Sequence, residues 1–120
     1  MEPIKRVFIF DDNEELLELC TIILEEMGCE IKTSKTSNNI EKQVSEFMPD
    51  IIFMDNWLPD VSGVDATKQL KANKSLQQIP VIYFSANNNI SALAKSAGAD
   101  DFLSNPFDIS ALENMLKKYC

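Results

Sequence analysis

The sequence contains no histidine. It therefore lacks the imidazole that most often serves proteins as acid–base catalyst, phosphoryl carrier or metal ligand. Basic residues are scarce as well: 11 Lys and Arg stand against 19 Asp and Glu, a formal net charge of −8. A nucleic-acid backbone needs a basic footprint, so direct nucleic-acid binding is excluded as a main activity. The three cysteines, Cys20, Cys29 and Cys120, are odd in number and show no metal-ligand spacing, which leaves them as reduced thiols with no assigned role. No apolar run approaches the roughly 20 residues that a bilayer span demands. Residues 1–6 lack the apolar stretch of a secretory leader. A cytoplasmic location without membrane contact is the expectation.

What is present is ordinary globular material. Hydrophobic residues make up 45% and charged residues 25% of 120 positions, a single domain's worth spanning 1–120. A chain of this size buries roughly two-thirds of its unfolded surface and needs no disulfide or metal to fold.

Apolar segments alternate with helix-like ones, with no repeat, low-complexity tract or long linker. Arg6 to Phe10 is β-branched and aromatic and stops at Asp11-Asp12. Asn13 can cap a helix carrying Leu16, Leu17, Cys20, Ile23, Leu24 and Met27 at helical spacing, with Gly28 as its stop. Cys29 to Thr33 alternates in polarity like a half-exposed strand. Asn38 followed by Glu41 has the form of a capping box, opening a helix with Ile40, Val44, Phe47 and Met48 on one face and ended by Pro49.

Ile51 to Met54 is apolar throughout and stops at Asp55; a helix follows from about Gly63 to Asn73, with Val64, Thr67 and Leu70 inward. Pro80 to Phe84 is a second continuous apolar strand, ending at Ser85. Ile90, Leu93, Ala94 and Ala97 mark a short helical segment closed by Gly98. Asp101 to Ser104 is a brief last strand, and Asp108 caps a final helix with Ile109, Leu112, Met115, Leu116 and Tyr119 facing inward.

Strict alternation implies right-handed βαβ units and a parallel sheet. The first, third and fourth strands are apolar on both faces and belong in the centre; the second and fifth belong at the edges. The order 2-1-3-4-5 satisfies this, a doubly wound α/β fold whose ligands sit beyond the carboxyl ends of strands 1 and 3.

Those ends deliver Asp11, Asp12 and Asp55, with Ser85 after strand 4 and Asn105-Pro106 after strand 5. A single aspartate at a strand end is often only a turn or cap residue. Three at the switch point are a different matter. Two carboxylates about 4 Å apart repel by several kcal/mol at an effective dielectric near 20, so the cluster must raise a pKa or bind a cation. Hard oxygen donors in an open site suit Mg²⁺.

Four ordered motifs carry a resemblance. Phe8 to Glu14 (FIFDDNE), Pro49 to Asp55 (PDIIFMD) with Pro59 and Gly63, Ile79 to Ala86 (IPVIYFSA), and Gly98 to Leu103 (GADDFL) through Pro106-Phe107 together resemble the receiver domains of two-component response regulators. The resemblance covers the whole chain. It implies a flavodoxin-like receiver fold and a non-enzymatic phosphoacceptor, capable at most of self-phosphorylation and self-dephosphorylation. It implies that Asp55 attacks a phosphohistidine on a sensor histidine kinase or histidine phosphotransfer protein. Asp12, Asp55 and the backbone carbonyl of Trp57 would hold Mg²⁺, with Asp11 acting through water. Ser85 would bond a phosphoryl oxygen, and Phe102 would change rotamer on the face formed by the fourth helical segment, fifth strand and last helix, signalling to a downstream protein effector. A homodimer through that face is compatible with it.

Plainer readings stand beside these roles: Ser85 as a turn former, Phe102 as core packing, Trp57 as partner contact or loop anchor. One position departs from the family. Where it has a lysine before the closing proline, this sequence has Asn105, which donates a hydrogen bond but brings no charge. That keeps a second reading open, an interaction module acting independently of phosphorylation. A haloacid dehalogenase-like phosphatase would need an acid–base Asp where Trp57 stands, and a flavodoxin-like flavin site would need a Ser/Thr/Gly loop where Asp11 to Glu15 would repel phosphate. Both are rejected.

Overall fold

The computed structural model describes residues 5–55, 58, 61–85, 94–95, 98–104 and 109–120, with Ser85 and Ser104 described through their backbone alone. Five strands, β1 (Arg6–Phe10), β2 (Glu30–Ser34), β3 (Ile51–Met54), β4 (Val81–Ser85) and β5 (Asp101–Ser104), form one sheet in the order β2-β1-β3-β4-β5. All pairings are parallel. Four helices are described: α1 (Glu14–Glu26), α2 (Ile40–Phe47), α3 (Gly63–Ala72) and α4 (Ile109–Tyr119). The short helical segment expected around Ile90 to Ala97 lies mostly outside the described residues; Ala94 and Lys95 are helical. No described helix is long and apolar enough to cross a membrane.

Side-chain alternation along the central strands feeds two apolar layers. On one face Phe8, Phe10, Ile52, Met54, Val81 and Tyr83 pack with Ile40, Val44 and Phe47 of α2 and with Ala66 and Leu70 of α3. On the other, Val7, Ile9, Ile51, Phe53, Ile82 and Phe84 pack with Leu17, Cys20 and Leu24 of α1 and with Leu112 and Leu116 of α4. Helices on both sides are what make the central strands apolar throughout, since neither face meets water. Edge strand β2 is exposed or half-exposed at every position, as its alternating sequence implies.

Met48, expected on the inner face of α2, instead closes that helix in the left-handed region (φ 50°) and is 46% exposed; the other helix ends follow local chemistry with two exceptions. The Asn13 side chain accepts the Leu16 amide at 3.2 Å and opens α1. Gly28 closes it at φ 87°, donating to Glu25 O at 2.9 Å, while the Cys29 amide reaches Leu24 O at 3.0 Å. This pair of reversed bonds needs a left-handed residue, which glycine supplies at no steric cost. Ser62 caps α3 through the Asp65 amide at 3.1 Å.

The expected Asn38–Glu41 capping box is not formed. Asn39 occupies the cap position in the left-handed region (φ 55°) with no side-chain cap bond. The Gln43 amide folds back instead, donating to the carbonyls of Asn38 (2.6 Å) and Thr36 (3.1 Å). The second exception is Ile109: expected inward, it is 52% exposed, while Leu112 and Leu116 on the same face are buried, because it is the first residue of α4 and stands at the helix end. The Asp108 cap lies outside the described residues.

Candidate functional site

The hydrogen-bond ladder of the sheet runs one residue past the strands and fixes two aspartates. The Asp11 amide donates to Ser34 O and the Asp55 amide to Phe10 O, both at 3.0 Å. These bonds anchor the backbones at the carboxyl ends of β1 and β3, and the two side chains end up 4% and 8% exposed. Asp12 follows on the solvent side. One carboxylate oxygen from each of Asp11, Asp12 and Asp55 lies within 4.8 Å of the others. The sequence expectation that these three converge is met.

The crowding has electrostatic consequences. Burial pushes the Asp11 carboxyl above its usual range; the Asn13 amide, donating at 2.8 Å, holds it down, and the charge of Asp12 raises it further. The field reaches into the core: the buried Cys20 thiol is pushed up to about 11, first by burial and then by the charge of Asp11. On the opposite face Tyr83, fully buried, has its phenol raised by burial and then by the charges of Asp55 and Asp65. All eleven cationic side chains lie among the described residues, and none makes an ion pair with Asp11 or Asp12.

This donor set fits a small hard dication. Across an octahedral Mg²⁺, opposed oxygens stand about 4.2 Å apart and adjacent ones about 3 Å, so carboxylate oxygens within 4.8 Å of one another need only a small adjustment to share one. Three carboxylates with no thiolate or imidazole favour Mg²⁺ over softer metals.

The remaining predicted positions are distributed as follows. Phe102 lies on β5 and is 38% exposed, beside a surface depression of about 310 Å³ that it lines with Ala94, Lys95, Ala99, Asp100 and Asp101. Plain core packing does not describe it. The Ser85 backbone ends β4. Its side chain, Trp57 and the Asn105-Pro106 bond lie outside what is described.

Two features escaped sequence reasoning. The Asn13 amide restrains Asp11 in an Asx turn, a feature that an aspartate two residues before a helix cap could have suggested. The buried Ser37 hydroxyl donates to Val61 O at 2.6 Å and ties the turn after β2 to the segment following Asp55. Nothing local in the sequence signals that bond.

Known proteins resemble this chain in sequence and in fold. The model of the response regulator receiver domain family matches residues 7–117. The polar-differentiation response regulator DivK of Brucella anthropi is 34% identical over 119 residues, covering 96% of this chain and 95% of that protein. The CAI-1 autoinducer sensor kinase/phosphatase CqsS of Vibrio cholerae is 27% identical over 113 residues, where the match takes in 92% of this chain but 16% of that protein. The chain spans half of the phosphate regulon regulator PhoB of Pseudomonas aeruginosa. Among solved structures, a response regulator of Chloroflexus aurantiacus superposes with a TM-score of 0.90 at 24% identity, 98% of each chain being covered. The receiver domain of a sensor histidine kinase from P. aeruginosa, with a magnesium ion coordinated in its active-site cleft, gives 0.89 at 22% identity, again over 98% of each chain. At these identities the structures speak for the fold.

Proposed function

The chain belongs to the response regulator receiver domain family, and from that premise we propose that it accepts a phosphoryl group on Asp55 from a partner's phosphohistidine. Receiver domains are signalling modules that work between histidine kinases and downstream effectors, and residues 1–120 make up one such unit here. The observation that carries the reading is the meeting of Asp11, Asp12 and Asp55 within 4.8 Å at the switch point of a doubly wound sheet. In the transfer, a carboxylate oxygen of Asp55 forms the new O–P bond as the P–N bond to the donor imidazole breaks, and the imidazole leaves after gaining a proton.

Asp12, Asp55 and the Trp57 carbonyl would hold Mg²⁺, with Asp11 acting through water, and the ion would supply the positive charge that the transferring phosphoryl oxygens demand. The chain's own residues do the rest. The Asn13 amide keeps Asp11 turned inward. The bond from the Asp55 amide to β1 holds the nucleophile's backbone at the strand end. The Ser85 hydroxyl donates a hydrogen bond to a phosphoryl oxygen, and Phe102, partly exposed on β5, changes rotamer and alters the face that an effector reads.

Asn105 replaces a cation with an amide, so transfer or its readout is slowed relative to a site holding lysine. The same residue favours the second reading, an interaction module that works without phosphorylation. One experiment separates them: incubate the protein with Mg²⁺ and a small acyl phosphate and measure intact mass. A labile adduct of one phosphoryl group, absent from Asp55→Asn and more abundant in Asn105→Lys, is the expected result. A wild type that stays unmodified while another receiver reacts alongside would overturn the phosphoacceptor reading in favour of the module.

A further inference from the structure

The amino end of the sheet gathers two of the three cysteines. Each helix of a βα unit runs back against its strand, so α1 and α4 both finish at that end, and both cover the same face. Cys29 stands between α1 and β2, its amide on Leu24 O at 3.0 Å. Cys120 follows α4, its amide on Leu116 O at 2.8 Å. Both side chains are partly buried against one apolar layer, whereas Cys20 is closed inside it. Lys5, one residue before β1, links the two positions. Its main-chain oxygen accepts the amide of Glu30, the residue after Cys29, at 2.8 Å, and its ammonium donates to Cys120 O at 2.8 Å. Burial raises both thiols above their ordinary value and the Lys5 charge lowers both; Asp50 and then Cys29 raise Cys120 further.

Two thiols that share one cation and one apolar wall are placed to be joined. We propose that Cys29 and Cys120 are a redox pair, closed to an intramolecular disulfide by hydrogen peroxide. The Cys29 thiolate, beside the Lys5 ammonium, attacks one peroxide oxygen; the O–O bond breaks, and the leaving hydroxide gains a proton as water. The Cys120 thiolate then attacks the sulfenic acid on Cys29. The S–S bond forms, the S–O bond breaks, and a second water leaves. Both sulfurs are oxidised and one peroxide is reduced to two waters. Cys29 goes first because Lys5 favours its thiolate, while Asp50 opposes that of Cys120. Burial of both thiols makes closure slow, a response to sustained oxidant rather than a brief pulse. The bridge closes a loop of about 90 residues and so constrains the unfolded chain. Lys118 and Tyr119 already bond Asp101 at 2.9 and 2.8 Å, so oxidation pins the end of α4 between the two edge strands. The pair lies at the opposite end of the sheet from the aspartate trio and is independent of phosphoryl acceptance.

The test treats the full reduced chain with excess hydrogen peroxide, then unfolds it and labels free thiols with iodoacetamide. Three labels are expected before oxidation and one, on Cys20, after it. Peptide mapping is expected to return a fragment joining Cys29 to Cys120 from a monomer, and dithiothreitol to restore all three labels. Cys20→Ser is expected to close like wild type, and Cys29→Ser and Cys120→Ser to form no internal bridge. Oxidised wild type is expected to melt at least about 5 °C above the reduced protein, with no such rise in Cys29→Ser. An unchanged melting temperature of the serine variants in reducing buffer shows that the fold survives, and the wild-type mapping decides the matter without them. Asp55→Asn is expected to close like wild type, which keeps this result separate from the phosphoryl experiment. Three labels persisting after oxidation, a bridge that includes Cys20, or a disulfide-linked dimer in place of the closed monomer would overturn the proposal.

Discussion

The two ends of the sheet use the same side chain for opposite purposes. At the amino ends of the strands, Asp50 and Asp100 each stand one residue before a strand. Asp50 accepts the Arg6 amide at 2.8 Å and donates its own amide to Arg6 O at 2.7 Å. Asp100 accepts the Val81 amide at 2.8 Å, donates to Val81 O at 2.9 Å, and receives the Lys71 ammonium at 2.7 Å. At the carboxyl ends, Asp11, Asp12 and Asp55 face one another. The difference lies in the polarity of a parallel sheet. Starting strands offer unpaired N–H groups that a carboxylate can accept, whereas finishing strands offer carbonyls that it cannot. An aspartate at the first end completes the ladder; three at the second create a demand for positive charge.

The sharpest way to break this contrast is at the amino end. Asp100→Ala leaves the amide of the buried Val81 without its acceptor and Lys71 without its anion. It is expected to cost about 2–3 kcal/mol in urea unfolding, with most of that from the orphaned amide and little from the half-exposed ion pair. At the carboxyl end the sign reverses: Asp55→Asn in metal-free buffer is expected to stabilise by about 1–2 kcal/mol, because one of three crowded charges is gone. Added Mg²⁺ should then stabilise wild type more than the variant, and an equal response would argue against the shared site.

Acid should separate the two ends more subtly. Asp101, first residue of β5, is pushed up by burial but held lower overall by hydrogen bonds from Lys118, Tyr119 and the Phe102 amide. Its contribution is present above 3.8 and is lost as pH falls through its depressed folded value. Asp11, raised in the folded state above 3.8, does the reverse. Its protonation favours folding, and that gain disappears as pH rises through its folded value. Unfolding measured from neutral pH to about 3 without metal should show Asp11→Asn removing a gain on acidification and Asp101→Asn removing a loss at the acid end.

Much of the fold was legible because it rests on local pattern. Continuous apolar strands, an alternating edge strand, Asn13 and Gly28 at the ends of α1, and aspartates at strand ends all record their burial or capping in adjacent residues. What stayed hidden depends on distance or competition. Asp50 and Asp100 gain their meaning from Arg6 and Val81, 44 and 19 residues away. The capping box lost to other partners: the Glu41 carboxylate accepts the Asn73 side-chain amide at 2.8 Å, and the Asn38 amide donates to the Thr36 hydroxyl at 3.1 Å. Of the site, the aspartate trio could be read because topology alone brings strand ends together. The exposure of Phe102 could not, since an aromatic in an edge strand serves core or surface equally well.

Lys71 has a mechanical consequence. Its ammonium spans Gln77 O at 3.1 Å, Ile79 O at 3.0 Å and Asp100 at 2.7 Å, riveting the last turn of α3 to the stretches that lead into β4 and β5. Three segments are thereby tied at one point, and the amides of Val81 and Asp100 are expected to exchange with solvent more slowly in wild type than in Lys71→Met, as hydrogen exchange would show.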